Sequence, residues 1–170
     1  AKFPRHQIGE SLLPATIHGI CAMLGLAEEI AAAGFPRKRG GTFRWGRSPE
    51  PWTFAFTKNP DDPYGFAYQV ERDRFDDMLL RNAARKGVDV REEHTVSGLV
   101  VEDGRAVGVR YRDRDGGEHE ARAKYVADAS GHRSHASGFV GDRVYSRLFQ
   151  NVAVYGYFEG AKRLPSPDQG

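Results

Sequence analysis

The sequence predicts an α/β fold with a β-meander, on three observations. A helical segment at 72–86 carries apolar residues on one face and leads at once into a short Val-rich strand at 88–90, as in the helix-to-strand return of an α/β unit. Three alternating segments at 96–101, 106–112 and 118–129 are joined by Asp-Gly turns, which favour antiparallel hairpins. The end of the third segment is apolar enough to be buried in a main sheet.

The first 34 residues are predicted to be helical from residue 9 onward. Ser11 is in position to cap the start, Pro14 suits a first turn because its missing N–H has no partner there, and Gly34 ends the helix. The predicted core-facing stripe consists of Leu13, Ile17, Ile20 and Leu24.

The period changes to two over 42–57, which predicts an antiparallel strand pair joined by a Gly- and Pro-rich loop at 46–51. Its aromatic face is formed by Phe43, Trp45, Trp52, Phe54 and Phe56. Further short strands are predicted at 66–70 and 151–159, and Gly87 is expected to end the helix that begins at Arg72.

Composition restricts the class of protein. The 170 residues carry 25 basic and 23 acidic side chains, and this balance gives no electrostatic footprint for nucleic acid or an anionic membrane. No apolar run approaches the roughly 20 residues of a membrane span, and the N-terminus has no secretory signal pattern. One cysteine, Cys21, cannot form an internal disulfide, so we expect a reducing, cytoplasmic setting. We also expect the chain to be an internal piece of a longer protein.

Local patterns alone give weak indications of chemistry. The turn at 128–131 follows an apolar strand with small residues, which allow close approach of a cofactor, although an ordinary structural turn explains it equally well. Lys38 lies in a basic stretch, and spacing alone places it at the surface. A lysine buried against an aromatic wall would have a lowered pKa and different reactivity. His132 and His135 lack further ligands at suitable spacing, so no metal site is predicted.

Three segments in order resemble flavin-dependent halogenases and, more loosely, the wider family of flavin monooxygenases and geranylgeranyl-reductase-like enzymes. Residues 2–14 are similar to the stretch after the second strand of that family, 68–76 to its strand-to-helix motif, and 126–134 to its Asp-Ala-Ser-Gly segment. The resemblance covers nearly the whole chain. It implies an FAD-binding, Rossmann-like (doubly wound) domain with the β-meander packed on its main sheet.

The resemblance also implies roles for particular residues. Lys38, in a Lys-x-Gly-x-x-Phe context with Gly40 and Phe43, matches the essential lysine of the halogenases. The residues that match cofactor-binding positions are His6, Ile8, Gly9, Glu10, Ser11, Arg72, Asp128, Ala129, Ser130 and Gly131.

The chemistry implied is halogenation, here chlorination, of an electron-rich and phenolic natural-product precursor. Reduced FAD, supplied by a separate flavin reductase, reacts with O2 and chloride or bromide to give hypohalous acid, which the lysine directs to the aromatic substrate. The substrate is in some relatives tethered to a carrier protein. The alternatives are an FAD-dependent monooxygenase or oxidoreductase of the same fold that does not halogenate, and a non-catalytic binding module.

The implied organisation alternates between two layers. Residues 1–34 and 67–143 are assigned to the FAD-binding part, 35–66 to a substrate-side strand pair and 144–170 to the start of a substrate domain. The Gly-x-Gly-x-x-Gly turn and the Trp-x-Trp-x-Ile-Pro segment of the family do not occur in these 170 residues.

Overall fold

The computed structural model describes residues 1–131, 134, 136–142, 144–150, 152 and 154–160. These form two compact units: a meander unit, made of residue 1 and 91–157, and a helical unit, made of residues 2–90 and 158–160. In the described part, no helix is long and apolar enough to span a membrane.

The helical unit combines short strands with two helices and one π-helical segment, Ala15–Cys21. In chain order the other elements are α1 (Ala27–Ala32), β1 (Arg37–Lys38), β2 (Gly40–Phe43), β3 (Trp52–Ala55), β4 (Ala67–Tyr68) and α2 (Arg72–Arg85). Strands β1 and β4 pair antiparallel, as do β2 and β3. The buried core of this unit comprises Ile17, Cys21, Leu26, Ile30, Phe35, Ala67, Tyr68, Val70 and Phe75.

The meander unit contains β5 (Thr95–Glu102), β6 (Arg105–Arg112), β7 (Glu118–Arg122) and the short helix α3 (Ser137–Val140). The strands form one antiparallel sheet in the order β5–β6–β7, so the predicted meander is confirmed. Asp103 and Gly104 both have positive φ values, 48° and 74°, which is the geometry that the Asp-Gly turn was expected to supply.

Helix α2 matches its prediction closely. It begins at Arg72 as expected, and Gly87 ends it with a φ of 90°. The N–H of Gly87 donates to the carbonyl of Ala84 (3.0 Å) and that of Val88 to Ala83 (3.1 Å), which is the Schellman arrangement. Because Val88 completes this cap and is 56% exposed, the predicted strand at 88–90 does not form.

The single helix expected over 9–34 is wrong. Residues 9–13 are not helical, and Ser11 bridges Gln69 instead of capping a helix. The following turns are π-helical, and Gly25, with a φ of 72°, separates them from α1. A π-helix advances by i→i+5 bonding, so a stripe spaced for 3.6 residues per turn drifts off the core. Ile17 is buried as predicted, whereas Leu13 and Ile20 are 56% and 54% exposed.

Two predicted strands also fail. Residues 125–129 lie outside any sheet, and Tyr125 is 77% exposed. A buried strand needs neighbours on both sides, and no described strand pairs with this one. In the range 151–159, residues 151 and 153 lie outside the described residues and the others form no strand. The predicted strand pair at 42–57 is confirmed as β2 and β3. The single strand predicted at 66–70 is present as the shorter β4.

The pairing of β2 with β3 depends on Gly40. A Cβ at this position would lie 2.1 Å from the carbonyl oxygen of Phe54, too close for any side chain. Gly98, on β5, offers a contrast, because a Cβ there would meet nothing within 4 Å.

We predict that Gly40→Ala lowers the free energy of unfolding by about 1–3 kcal/mol, because the clash is with backbone that cannot rotate away. Gly98→Ala, the matched control, should stay within about 0.5 kcal/mol of the parent. Urea unfolding of the full-length protein measures both. Equal stability of the two variants would contradict the close approach at Gly40.

Candidate functional site

The helical unit builds one cluster of polar side chains around β4. The N–H of Val70 donates to the carbonyl of Glu10 (2.8 Å), and that of Leu12 donates to Tyr68 (3.1 Å). Residues 10–12 thereby add to one edge of β4, while β1 occupies the other. This short three-stranded layer carries three of the residues that the sequence singled out: Glu10, Ser11 and Lys38.

Lys38 is buried, with 8% of its surface exposed, so the surface position that spacing alone indicates is wrong. Its Nζ donates to Ser11 Oγ (2.6 Å) and to the carbonyl oxygen of Leu12 (3.3 Å). The ring centroid of Phe56 lies 5.1 Å from Nζ. Among the described residues no carboxylate forms an ion pair with it. Desolvation by burial therefore lowers the pKa of the Lys38 amine from its ordinary value.

A row of aromatic side chains extends from Lys38 along one face of the β2–β3 hairpin. We call Phe43, Trp52, Phe54 and Phe56 the aromatic row. Its successive ring centroids are 5.8 Å apart from Phe56 to Phe54, 5.5 Å from Phe54 to Trp52 and 5.8 Å from Trp52 to Phe43. The outer end of the aromatic row is open, since Trp52 is 61% exposed. Four of the five predicted aromatic side chains therefore form this face, and its inner end lies beside the lysine. The fifth, Trp45, follows the end of β2 and is 77% exposed.

Arg72 is held at the start of α2. Its Nε and one Nη donate to the two carboxylate oxygens of Asp76, each at 2.8 Å, and the other Nη donates to the carbonyls of Ile8 (2.8 Å) and Gly9 (3.4 Å). The hydrogen bond to Asp76, opposed by desolvation and reinforced by the charges of Asp76 and Glu10, raises the pKa of Arg72. The guanidinium is thus a fixed positive charge beside the exposed segment that contains His6, Ile8 and Glu10.

Gly9 adopts a φ of 100°, and a Cβ there would lie 3.0 Å from Nη1 of Arg72. Its missing side chain therefore gives the guanidinium room against the backbone. An arginine side chain has five N–H donors, and four of them are used in the hydrogen bonds to Asp76, Ile8 and Gly9. The fifth N–H is able to donate to a phosphate or ribose oxygen. The surroundings of Arg72 therefore fit the anionic part of a dinucleotide such as FAD.

The segment Asp128–Gly131 belongs to the meander unit. The Asp128 carboxylate accepts hydrogen bonds from the N–H of Ser130 (2.8 Å), the Oγ of Ser130 (2.5 Å) and the N–H of Ala136 (3.3 Å). It also accepts one from the Oγ of Ser134. The hydrogen bonds to Ser130 and Ser134 hold the pKa of Asp128 well below its ordinary value. The carboxylate therefore closes its own loop, and Ala129 and Gly131 remain exposed.

The predicted site residues thus fall into three groups. Two lie in the helical unit, Lys38 with Ser11 and Arg72 with Ile8 and Gly9, and the third, 128–131, lies in the meander unit. His132 and His135 lie outside the described residues. In the described part no three His, Cys, Asp or Glu side chains group as metal ligands would.

Sequence reasoning missed two side chains of these groups. Asp76 orients Arg72, and the i,i+4 spacing on a helix was a signal available in the sequence. Phe56 was assigned to the aromatic strand, but its contact with Lys38 depends on pairing between distant segments and has no local signal.

The chain matches the FAD binding domain family over residues 13–148. It therefore belongs to this family of FAD-binding domains, and the predicted fold class is confirmed.

Particular relatives narrow the resemblance. The structure of the myxobacterial chondrochloren halogenase, described as a variant of FAD-dependent halogenases, is 71% identical with a TM-score of 0.94; the match covers 99% of this chain and 39% of that one. A tryptophan 2-halogenase of Chondromyces crocatus is 37% identical, covering 95% of this chain and 30% of the relative. A 1H-pyrrole-2-carbonyl-[peptidyl-carrier protein] brominase of Pseudoalteromonas luteoviolacea is 35% identical, covering 95% and 38%.

The predicted resemblance to flavin-dependent halogenases is confirmed by these matches. The chain spans less than two fifths of the length of each relative.

We predict that Lys38→Met leaves the protein at least as stable as the parent near neutral pH, because methionine removes a buried charge while filling similar space. The lowered pKa of Lys38 means that the unfolded chain binds more protons than the folded one just below the ordinary lysine pKa. The parent therefore gains stability as pH rises through this range. The difference in free energy of unfolding between the parent and Lys38→Met becomes smaller.

Urea unfolding of the full-length protein near pH 7 and about pH 10 measures this difference. Lys58→Met, at an exposed lysine, is the matched control and should stay within about 0.5 kcal/mol of the parent. A Lys38→Met variant that is less stable than the parent at both pH values would show that the charge is favourable where it lies.

Proposed function

We propose that this chain is part of a flavin-dependent halogenase that acts on an electron-rich aromatic, phenolic substrate, with Lys38 as its catalytic lysine. The observation that carries the proposal is the burial of the Lys38 amine at the inner end of an aromatic row. All three relatives described above are halogenases by name, which supports the reaction class.

The proposed cofactor contacts divide between the two units. In the helical unit Arg72 would meet an anionic group of FAD beside the backbone of Gly9, with His6, Ile8 and Glu10 on the same exposed segment. In the meander unit the backbone of Asp128–Gly131 would approach the cofactor, while the Asp128 side chain keeps that loop closed. FAD, when bound and reduced by a separate flavin reductase, would supply two electrons to O2, so that one oxygen atom oxidises the halide to hypohalous acid and the other leaves as water.

Lys38 would then bind or activate the hypohalous acid. Its ammonium form donates a hydrogen bond to the acid's oxygen, and its neutral form can take up the halogen itself. The lowered pKa brings both forms closer to physiological pH. In the transfer the ring carbon gains the halogen, the ring loses a proton, and the oxygen of the acid leaves as water.

The hairpin at 35–66 would form the substrate side. The aromatic row offers stacking partners for a planar ring next to Lys38, and holding the ring there decides which carbon reacts.

We propose chloride as the halide. Delivery by a carrier protein is supported by one relative, which by name acts on a pyrrole attached to a peptidyl-carrier protein.

We expect Lys38→Ala to reduce halogenated product by about 100-fold or more, because the group that directs the halogen is lost. The full-length protein is assayed with reduced FAD, O2 and chloride or bromide on a panel of phenols and pyrroles, free and carrier-bound, with mass spectrometry for the halogen isotope pattern. Lys58→Ala is the control and should retain product. Oxygen incorporation without halogen would instead establish a monooxygenase.

We expect Arg72→Gln to weaken FAD binding by about tenfold, since a charged hydrogen bond to the cofactor is lost. Arg81→Gln removes a second arginine of α2 that also pairs with an aspartate four residues away, Asp77 (3.0 Å), and should bind FAD like the parent. Equilibrium titration of the full-length apoprotein with FAD gives both dissociation constants. Equal values for the two variants would remove Arg72 from the cofactor site.

A further inference from the structure

The side chain of Lys38 reaches across a whole strand. Lys38 lies opposite Ala67 on β4, and Ser11 lies opposite Gln69 on the other edge of the same strand. Residues opposite each other share a face of a sheet, and so do residues two apart on one strand. All four side chains are therefore on one face. Lys38 and Ser11 belong to opposite edges of β4, so the lysine side chain crosses the strand on the face that carries the fully buried Ala67, and Nζ lies 2.6 Å from Ser11 Oγ.

The contact restricts how the amine can turn. An ammonium has three N–H donors, and two of them are taken by Ser11 Oγ at 2.6 Å and the Leu12 carbonyl at 3.3 Å. Two fixed acceptors leave the third donor, or the lone pair of the neutral amine, with a defined direction. The Leu12 acceptor is main chain and is set by the strand, so Ser11 supplies, among the described residues, the side-chain acceptor on which this direction depends.

We propose that Ser11 is a positioning residue for Lys38: its hydroxyl accepts from Nζ and fixes the direction in which the amine presents hypohalous acid to the substrate. The inference rests on the proposed function. This role of the Ser11 hydroxyl differs from the cofactor contact that the family resemblance implies. While the Ser11 oxygen accepts from Lys38, the Ser11 O–H remains able to donate to another group.

A second observation supports a functional contact. An exposed lysine has its amine in water, whereas this one is largely buried beside the Phe56 ring, with Ser11 Oγ and the Leu12 carbonyl as its acceptors in the described part of the chain. The Ser11 hydroxyl compensates for part of the lost hydration and favours the charged form. Burial lowers the pKa of Lys38, and an acceptor for the ammonium is expected on general grounds to oppose that change.

The first test measures the protonation of Lys38 without any turnover. Reductive methylation of the full-length protein with formaldehyde and a borane, at a series of pH values, gives the pKa of the Lys38 amine from its peptide by mass spectrometry, with exposed Lys58 as the internal reference. Ser11→Ala should lower this pKa by about 0.5–1, because an acceptor for the ammonium is lost. Ser97→Ala, at an exposed serine of β5, is the matched control and should not change it.

The second test measures where the halogen goes. Turnover is run with the aromatic substrate and a β-diketone that traps free hypohalous acid, and the ratio of halogenated substrate to halogenated trap is recorded. Ser11→Ala should lower this ratio several-fold, because a loosely held amine lets the acid escape. Ser11→Thr keeps a hydroxyl and should restore the ratio toward the parent value, while Ser11→Val, equal in shape to threonine, should not.

Both readouts changing together, with rescue by threonine and none by valine, supports the inference. A Lys38 pKa that is the same in Ser11→Ala and the parent overturns it, as does a ratio that valine and threonine restore equally. If the parent halogenates nothing, the proposed function fails. The methylation experiment still decides in that case whether Ser11 holds the Lys38 amine, and an unchanged pKa overturns the positioning role by itself.

Discussion

The candidate site depends on β4 being paired on both edges. On one edge β1 brings Lys38, and on the other residues 10–12 bring Ser11. The same chain leaves β4 and enters α2 within four residues, which places Arg72 against the carbonyls of Ile8 and Gly9. Two functional groups with different chemistry, an amine of lowered pKa and a permanently charged guanidinium, are therefore positioned by one two-residue strand.

The two cations have different electrostatic surroundings. Arg72 has a carboxylate partner, Asp76, and two carbonyl acceptors, so its positive charge is stabilised. Lys38 receives one hydroxyl and one carbonyl at hydrogen-bond distance and an aromatic ring beyond them. This difference fits the proposed roles, since a group that attracts a phosphate should stay charged, whereas a group that handles a halogen benefits from access to both protonation states. An amine held in this way costs stability, which is usual at sites shaped by function.

Elements with strong local signals could be predicted from the sequence, and those set by distant pairing could not. Helix α2 carries its start, its apolar face and its terminal Gly87 within 16 residues, and the meander is marked by its Asp-Gly turns. The π-helical segment was predicted to be a regular α-helix because its apolar residues recur at the spacing of 3.6 residues per turn, and nothing in that spacing signals the wider period. The burial of Lys38 was not predictable from spacing, because it depends on Ser11, Phe56 and Ala67, which lie 27, 18 and 29 positions away in the sequence.

The small side chain of Ala67 leaves room for Lys38, which lies opposite it on the same face of the sheet. Ala67 offers no donor, no acceptor and no charge, and it lies opposite Lys38 with its surface fully covered. A branched or longer side chain at position 67 would compete with Lys38 for space on this face and change the contact between Nζ and Ser11. The tolerance of position 67 to substitution is therefore limited by the neighbouring lysine, although Ala67 itself carries no polar group.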